Sequence, residues 1–129
     1  MSTILLVEDE VLNRTLVKAV LARAQLQAVR DAEVLDADSL AAARHRLDGA
    51  DVDLILLDMN LPDGNGLSLA RELASGELSC GRRPVVIAVT ASVLPADRAA
   101  ALEAGCDAFL DKPYAAADLV EVIAQNLPS

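Results

Sequence analysis

Four short stretches place reactive side chains directly after aliphatic runs. Glu8, Asp9 and Glu10 follow "TILLV", Asp58 follows "VDLILL", Thr90 ends "PVVIAVT" ahead of Ala91 and Ser92, and Asp111, Lys112 and Pro113 follow "DAFL". Carboxylates grouped without histidine or cysteine offer hard oxygen ligands, the set that suits Mg²⁺ with its octahedral shell and retained waters. Such an ion bridges and neutralises phosphoryl oxygens, so the same acids prepare a phosphoryl site. Lys112 adds a positive point charge and Thr90 a hydroxyl donor. Asp58 is then the natural nucleophile, because carboxylate attack on phosphorus gives an acyl phosphate.

Taken singly, each residue has a plainer reading. Acids after a strand often cap the next helix, and Glu8 to Glu10 fit that role for a helix beginning near Val11. Asp58 precedes Asn, Pro, Asp and Gly and reads as a turn residue. Thr90 can cap a helix or simply end a strand, and a lone lysine before proline is an exposed loop residue. What favours a common site is coincidence of position: acid, acid, hydroxyl and lysine end the first, third, fourth and fifth apolar runs in that order.

Those runs set the architecture. Short apolar segments at Thr3 to Val7, Ala32 to Ala37, Val52 to Leu57, Pro84 to Thr90 and Asp107 to Leu110 read as strands. Amphipathic segments between them read as helices: Val11 to about Val29, Ser39 to Leu47 with Ser39 as N-cap, Gly66 to Ala74, Ala96 to Ala104 stopped by Gly105, and Ala116 to about Asn126. Strict alternation means βαβ units and a parallel sheet, and right-handed crossovers put helices on both faces. The fold class is therefore α/β, a doubly wound five-stranded parallel sheet. In such sheets ligands bind beyond the carboxyl ends of the strands. With the first and third strands adjacent, as in the flavodoxin-like order, Glu8, Asp9 and Asp58 converge, and three like charges destabilise one another unless a cation joins them.

Composition narrows the function. The 129 residues suit one domain, and a hydrophobic fraction of 53% is ample for one core. One Phe, one Tyr and no Trp argue against base stacking, and a net charge of −9 repels a phosphate backbone. Direct nucleic-acid binding is not expected. Apolar runs are too short to span a membrane, and no signal peptide precedes them, so a cytoplasmic protein is expected. Cys106 reads as a small core residue and Cys80 as an exposed loop thiol, both reduced; His45, the single histidine, lies between Arg44 and Arg46 and reads as solvated.

The stretches "ILLVEDE", "LILLDMNLPDGNG", "VIAVTAS" and "AGCDAFLDKPY" together resemble the receiver domain of bacterial two-component response regulators, over essentially the whole chain. The resemblance implies the flavodoxin-like (βα)5 receiver fold with strand order 2-1-3-4-5. It makes Asp58 the phosphoacceptor, taking a phosphoryl group from a phosphohistidine on a sensor histidine kinase or histidine phosphotransfer protein. Asp9 would bind Mg²⁺ directly, Glu8 through water, and Asn60 through its backbone carbonyl, with Asp58 completing the set. Thr90 would be the switch hydroxyl, Lys112 the phosphoryl-binding lysine, Pro113 the second residue of a cis peptide, and Phe109 the aromatic rotamer switch. Output would pass through the fourth helix, fifth strand and fifth helix to a downstream regulatory protein, with a phosphorylation-dependent dimer as a further form. The chain would be a signalling phosphoacceptor rather than an enzyme, catalysing only its own phosphoryl transfer and slow dephosphorylation.

Departures from the commonest pattern are Glu8 in place of Asp, Phe109 in place of Tyr, a long first helix through "LARAQLQAVRDAE" and an extended loop "SGELSCGRRP". With two residues after Leu127, a single receiver domain over residues 1–129 without an output domain is expected, although receivers within hybrid kinases carry similar motifs. Stand-alone regulators of the cell-cycle type are similar through "VEDEVLN" and "GCDAFLDKP". Two other chemistries share parts of this pattern. A haloacid-dehalogenase-type phosphatase wants a second Asp where Asn60 stands. A flavodoxin-like FMN carrier wants a phosphate loop after the first strand, where three acids would repel the phosphate.

Overall fold

The computed structural model describes residues 2–48, 50–76, 83–91 and 94–127. In chain order the elements are β1 (Thr3–Val7), α1 (Val11–Ala22), α2 (Gln27–Arg30), β2 (Glu33–Ala37), α3 (Leu40–Leu47), β3 (Leu54–Asp58), β4 (Asn60–Leu61), β5 (Gly64–Asn65), α4 (Leu67–Ser75), β6 (Val85–Thr90), α5 (Pro95–Ala104), β7 (Ala108–Asp111) and α6 (Ala116–Asn126). The main sheet runs β2-β1-β3-β6-β7 with every pairing parallel. Counting only its strands, this is the 2-1-3-4-5 order expected from the sequence.

Alternation along the strands divides the core into two layers, because successive strand side chains point to opposite faces. Leu5, Val7, Ile55, Leu57, Val86 and Ala88 pack against Leu40, Leu47, Leu69 and Leu73 of α3 and α4. The intervening residues Ile4, Leu6, Leu54, Leu56, Ile87 and Val89 pack against Val17 and Leu21 of α1 and Leu119 and Ile123 of α6. All five residues of β3 are buried, so the central strand is dry on both faces. Cys106 lies in the first cluster, its thiol pushed up to about 11 mainly by burial, and His45 is exposed. The expected exposure of Cys80 and most of the loop before β6 fall outside the described residues. No described helix is long and apolar enough to cross a membrane.

The first helix is shorter than its periodicity suggests. It ends at Ala22 with Arg23 as C-cap, and a separate turn, α2, starts at Gln27. Ala24 and Val29 are both buried in the α1/α6 layer, yet in one continuous helix five positions differ by roughly 140° around the axis. Breaking the helix lets both residues face the sheet. Arg30 stands in for the lost helical bonds, its Nη1 donating to the carbonyls of Ala24 (3.3 Å) and Gln25 (3.5 Å).

Local signals at other ends behave as their chemistry dictates. Ser39 caps α3, its Oγ accepting from the Ala42 N–H at 3.1 Å. Gly105 ends α5 in the left-handed region at φ 104°, a conformation that favours glycine. Because Leu56 is fully buried beneath α1 and α6, Leu56→Ala is expected to cost about 2–5 kcal/mol, read as a lower urea midpoint at unchanged slope.

Candidate functional site

Parallel pairing brings the carboxyl ends of the strands to one edge of the sheet. Val7 lies opposite Leu57 across β1 and β3, so the residues that follow them, Glu8 and Asp58, are neighbours. Glu8 is anchored by its backbone, its N–H donating to the Ala37 carbonyl at 2.9 Å. Carboxylate oxygens of Glu8, Asp9 and Asp58 all lie within 4.8 Å of one another. Glu8 and Asp58 are buried while Asp9 is exposed.

Lys112 arrives from the far side. Its N–H donates to the Thr90 carbonyl at 2.8 Å, its peptide with Pro113 is cis, and its Nζ reaches over β6 to donate to Asp58 Oδ2 at 3.0 Å, with Glu8 Oε2 at 3.7 Å. The other oxygen of Asp58, Oδ1, accepts from the Asn60 N–H at 3.0 Å. Both oxygens of the central carboxylate are therefore held. Burial alone would lower the Lys112 pKa; the hydrogen bond to Asp58 and the charges of Asp58 and Glu8 outweigh it and hold the ammonium above its usual value. Burial, and then the adjacent Asp58, push Glu8 above the usual carboxylate range despite the opposing Lys112 charge.

Asn60 sits in a small hairpin, β4 with β5, which the sequence reading treated as loop. The Gly66 N–H donates to the Met59 carbonyl at 3.0 Å just outside the Asn60/Asn65 pair. That bond makes Asn60/Asn65 a non-hydrogen-bonded pair and leaves the Asn60 carbonyl out of the ladder. Gly66 permits the close return, since a Cβ there would stand 2.6 Å from the Asp58 carbonyl oxygen. Three carboxylates against one ammonium, with a peptide carbonyl nearby, form a hard, net negative donor set that suits a small divalent cation.

Thr90 and Phe109 stand beside this cluster rather than in it. Both are half-buried and line a cavity of about 180 Å³ between the β4–β5 hairpin and α5. Another buried acid, Asp53, is structural: its Oδ2 accepts the Thr3 N–H at 2.8 Å and ties β1 to the start of β3.

Three further residues support the site, although nothing in the linear sequence assigns them a role there. Asn13 Nδ2 lies 3.4 Å from Glu8 Oε1, and Arg14 Nη1 donates to the Glu8 carbonyl at 2.8 Å. Both lie in the first turn of α1, the helix that begins just after Glu8, and so sit beside the end of β1. Asp63, in the turn of the hairpin, accepts the Leu40 and Ala41 N–H groups at 2.9 and 3.0 Å and so binds the Asn60 hairpin to the start of α3.

Comparison with known proteins gives this arrangement a family. The sequence profile of the response regulator receiver domain matches residues 4–124. The chain is 31% identical over 125 residues to the polar-differentiation response regulator DivK of Brucella ovis, covering 97% of this chain and 95% of that one. It is 34% identical over 119 residues to the KDP operon transcriptional regulatory protein KdpE of Escherichia coli, covering 92% of this chain but 48% of that one. Among solved structures, the receiver domain of the sensor histidine kinase PA1611 from Pseudomonas aeruginosa superposes with a TM-score of 0.80 at 33% identity, over 99% of this chain and 98% of that one, and carries a magnesium ion in its active-site cleft. The chain belongs to the response regulator receiver domains of two-component systems.

The two N–H groups of Leu40 and Ala41 hold the exposed Asp63 carboxyl below its usual value. The stabilisation this brings is present above the unfolded-state pKa of about 3.9 and is lost as pH falls through the lower folded value. Asp63→Ala should therefore lower Tm at pH 7, and the gap to the unmutated protein should close below about pH 4, measured by circular-dichroism melts across that range.

Proposed function

We propose that Asp58 accepts a phosphoryl group from a phosphohistidine of a sensor histidine kinase or histidine phosphotransfer protein, with Mg²⁺ bound by Asp9, Asp58 and the Asn60 carbonyl directly and by Glu8 through water. The observation that carries this reading is the grip on Asp58. A buried carboxylate with one oxygen on a backbone N–H and the other on Lys112 is oriented before any substrate arrives. Magnesium supplies charge neutralisation for the phosphoryl oxygens when bound.

In the transfer, an Asp58 oxygen forms the new O–P bond as the P–N bond to the imidazole breaks, and the departing ring nitrogen keeps the electron pair and takes up a proton. Lys112 leaves the carboxylate oxygen and follows the charge onto a phosphoryl oxygen. Thr90 offers its hydroxyl to another, and Phe109 repacks beside it. The added charge of about −1.5 to −2 thus moves β7 and redistributes the population between two arrangements. The surface of α5, β7 and α6 then changes its affinity for a downstream regulatory protein, or for a second copy of the chain.

The same reading makes the chain a signalling phosphoacceptor rather than a turnover enzyme, working in the cytoplasm. The net charge of −9 speaks against direct contact with nucleic acid and so favours output through another protein.

Incubation with acetyl phosphate or phosphoramidate, followed by intact mass, should give one phosphoryl adduct that requires Mg²⁺ and is lost in Asp58→Asn; an unchanged adduct in that variant refutes the assignment. Lys112→Ala should keep Mg²⁺ binding by calorimetry yet leave conformation unresponsive to phosphorylation, as read from amide chemical shifts on α5 and β7.

A further inference from the structure

Arg98 projects from α5 over β7, its guanidinium carbon 5.1 Å from the centroid of the Phe109 ring. The same group is ion-paired and hydrogen-bonded to Asp111, the residue immediately before Lys112. Phe109 and Asp111 are alternate residues of one strand and so share a face. One planar cation therefore holds both the aromatic side chain and the strand end from which Lys112 reaches Asp58. Guanidinium geometry suits this double task, since it stacks through its face while its edge pairs with a carboxylate.

The ring that Arg98 covers also has somewhere to go. Phe109 forms part of the wall of the cavity of about 180 Å³ whose other sides include Met59, Ala88, Thr90 and Ala101. Polar walls at Asn60, Asn65 and Asp97 complete it, and its volume of about 180 Å³ leaves room for the ring to shift toward Thr90. Nothing in the phosphoryl chemistry requires Arg98 itself, which lies outside the acid cluster.

We infer that Arg98 is a positioning residue: it latches Phe109 and the end of β7 in the unphosphorylated arrangement and thereby sets how strongly the site holds a phosphoryl group. This rests on the reading of Asp58 as phosphoacceptor. A contact made in only one of two states weakens, by its own equilibrium factor, any ligand that selects the other. An exposed cation–π contact together with an exposed ion pair corresponds to about threefold to tenfold.

Phe109 is the only phenylalanine in the chain, so protein made with 4-fluorophenylalanine carries a single ¹⁹F reporter at the latch. The probe ligand is beryllofluoride, a phosphoryl mimic, titrated at saturating Mg²⁺. Arg98→Ala should move the reporter in the free protein and lower the beryllofluoride midpoint about threefold to tenfold. Arg98→Lys, which keeps the charge but not the planar stack, should fall between. Equal midpoints in the unmutated protein and Arg98→Ala overturn the latch while leaving the phosphoacceptor reading intact. An unmutated protein whose reporter ignores beryllofluoride overturns both.

Discussion

The contact between Lys112 Nζ and Asp58 Oδ2, at 3.0 Å, is the constraint on which the rest of the site depends. It joins the end of β7 to the end of β3 across the intervening β6, so it exists only if the strand order and register are those observed. An ionised carboxylate at the end of a strand buried along its whole length is costly unless paired, and attraction to a single cation recovers only part of the desolvation penalty. The Asn60 N–H on the other oxygen supplies a second compensation. With Glu8 also buried and Lys112, among the described residues, the single cation contacting both acids, the cluster remains short of positive charge, which is what makes it receptive to a divalent ion.

Scaffold and site are held in place by different forces. Aliphatic side chains of β1, β3 and β6, buried on both faces of the sheet, fix the strand ends through non-directional packing. The loops that complete the site bury little and depend on directional bonds instead. Asp63 fastens the Asn60 hairpin to α3, Arg14 fastens the Glu8 carbonyl to α1, and the Thr90 carbonyl fastens Lys112. A packed core with bond-tethered loops suits the proposed role, in which Lys112 would leave one oxygen for another without disturbing the sheet.

Legibility from the sequence follows the same division. Strands buried on both faces appear as continuous aliphatic runs, and their ends as abrupt changes from aliphatic to charged or polar residues, and both are visible in a linear chain. Thus β1, β3 and β6, the Ser39 cap and the Gly105 stop could be read directly. The break at Arg23 could not, because the segment has no Gly or Pro and the helix yields to the joint burial of Ala24 and Val29, a tertiary demand. The roles of Asp63, Asn13 and Arg14 were likewise hidden. In sequence Asp63 reads as an ordinary turn residue, and its actual partners, Leu40 and Ala41, are 23 and 22 positions away.

Asp58 and α5 are joined through the short strand β7. Within its four residues, Leu110 anchors in the α1/α6 layer, Phe109 faces the opposite layer, and Asp111 pairs with α5. Lys112 is then held at both ends, by its N–H on Thr90 and by its ammonium on Asp58. Under the proposed phosphoacceptor role, a force that draws the ammonium from carboxylate to phosphoryl oxygen would act on a backbone already bonded to β6. On that proposal the change would pass to the side where Phe109 and Asp111 meet Arg98, since Leu110 is buried in the α1/α6 layer. The sheet that holds Asp58 in place would then, under the same proposal, be what couples phosphorylation to the surface of α5 and β7.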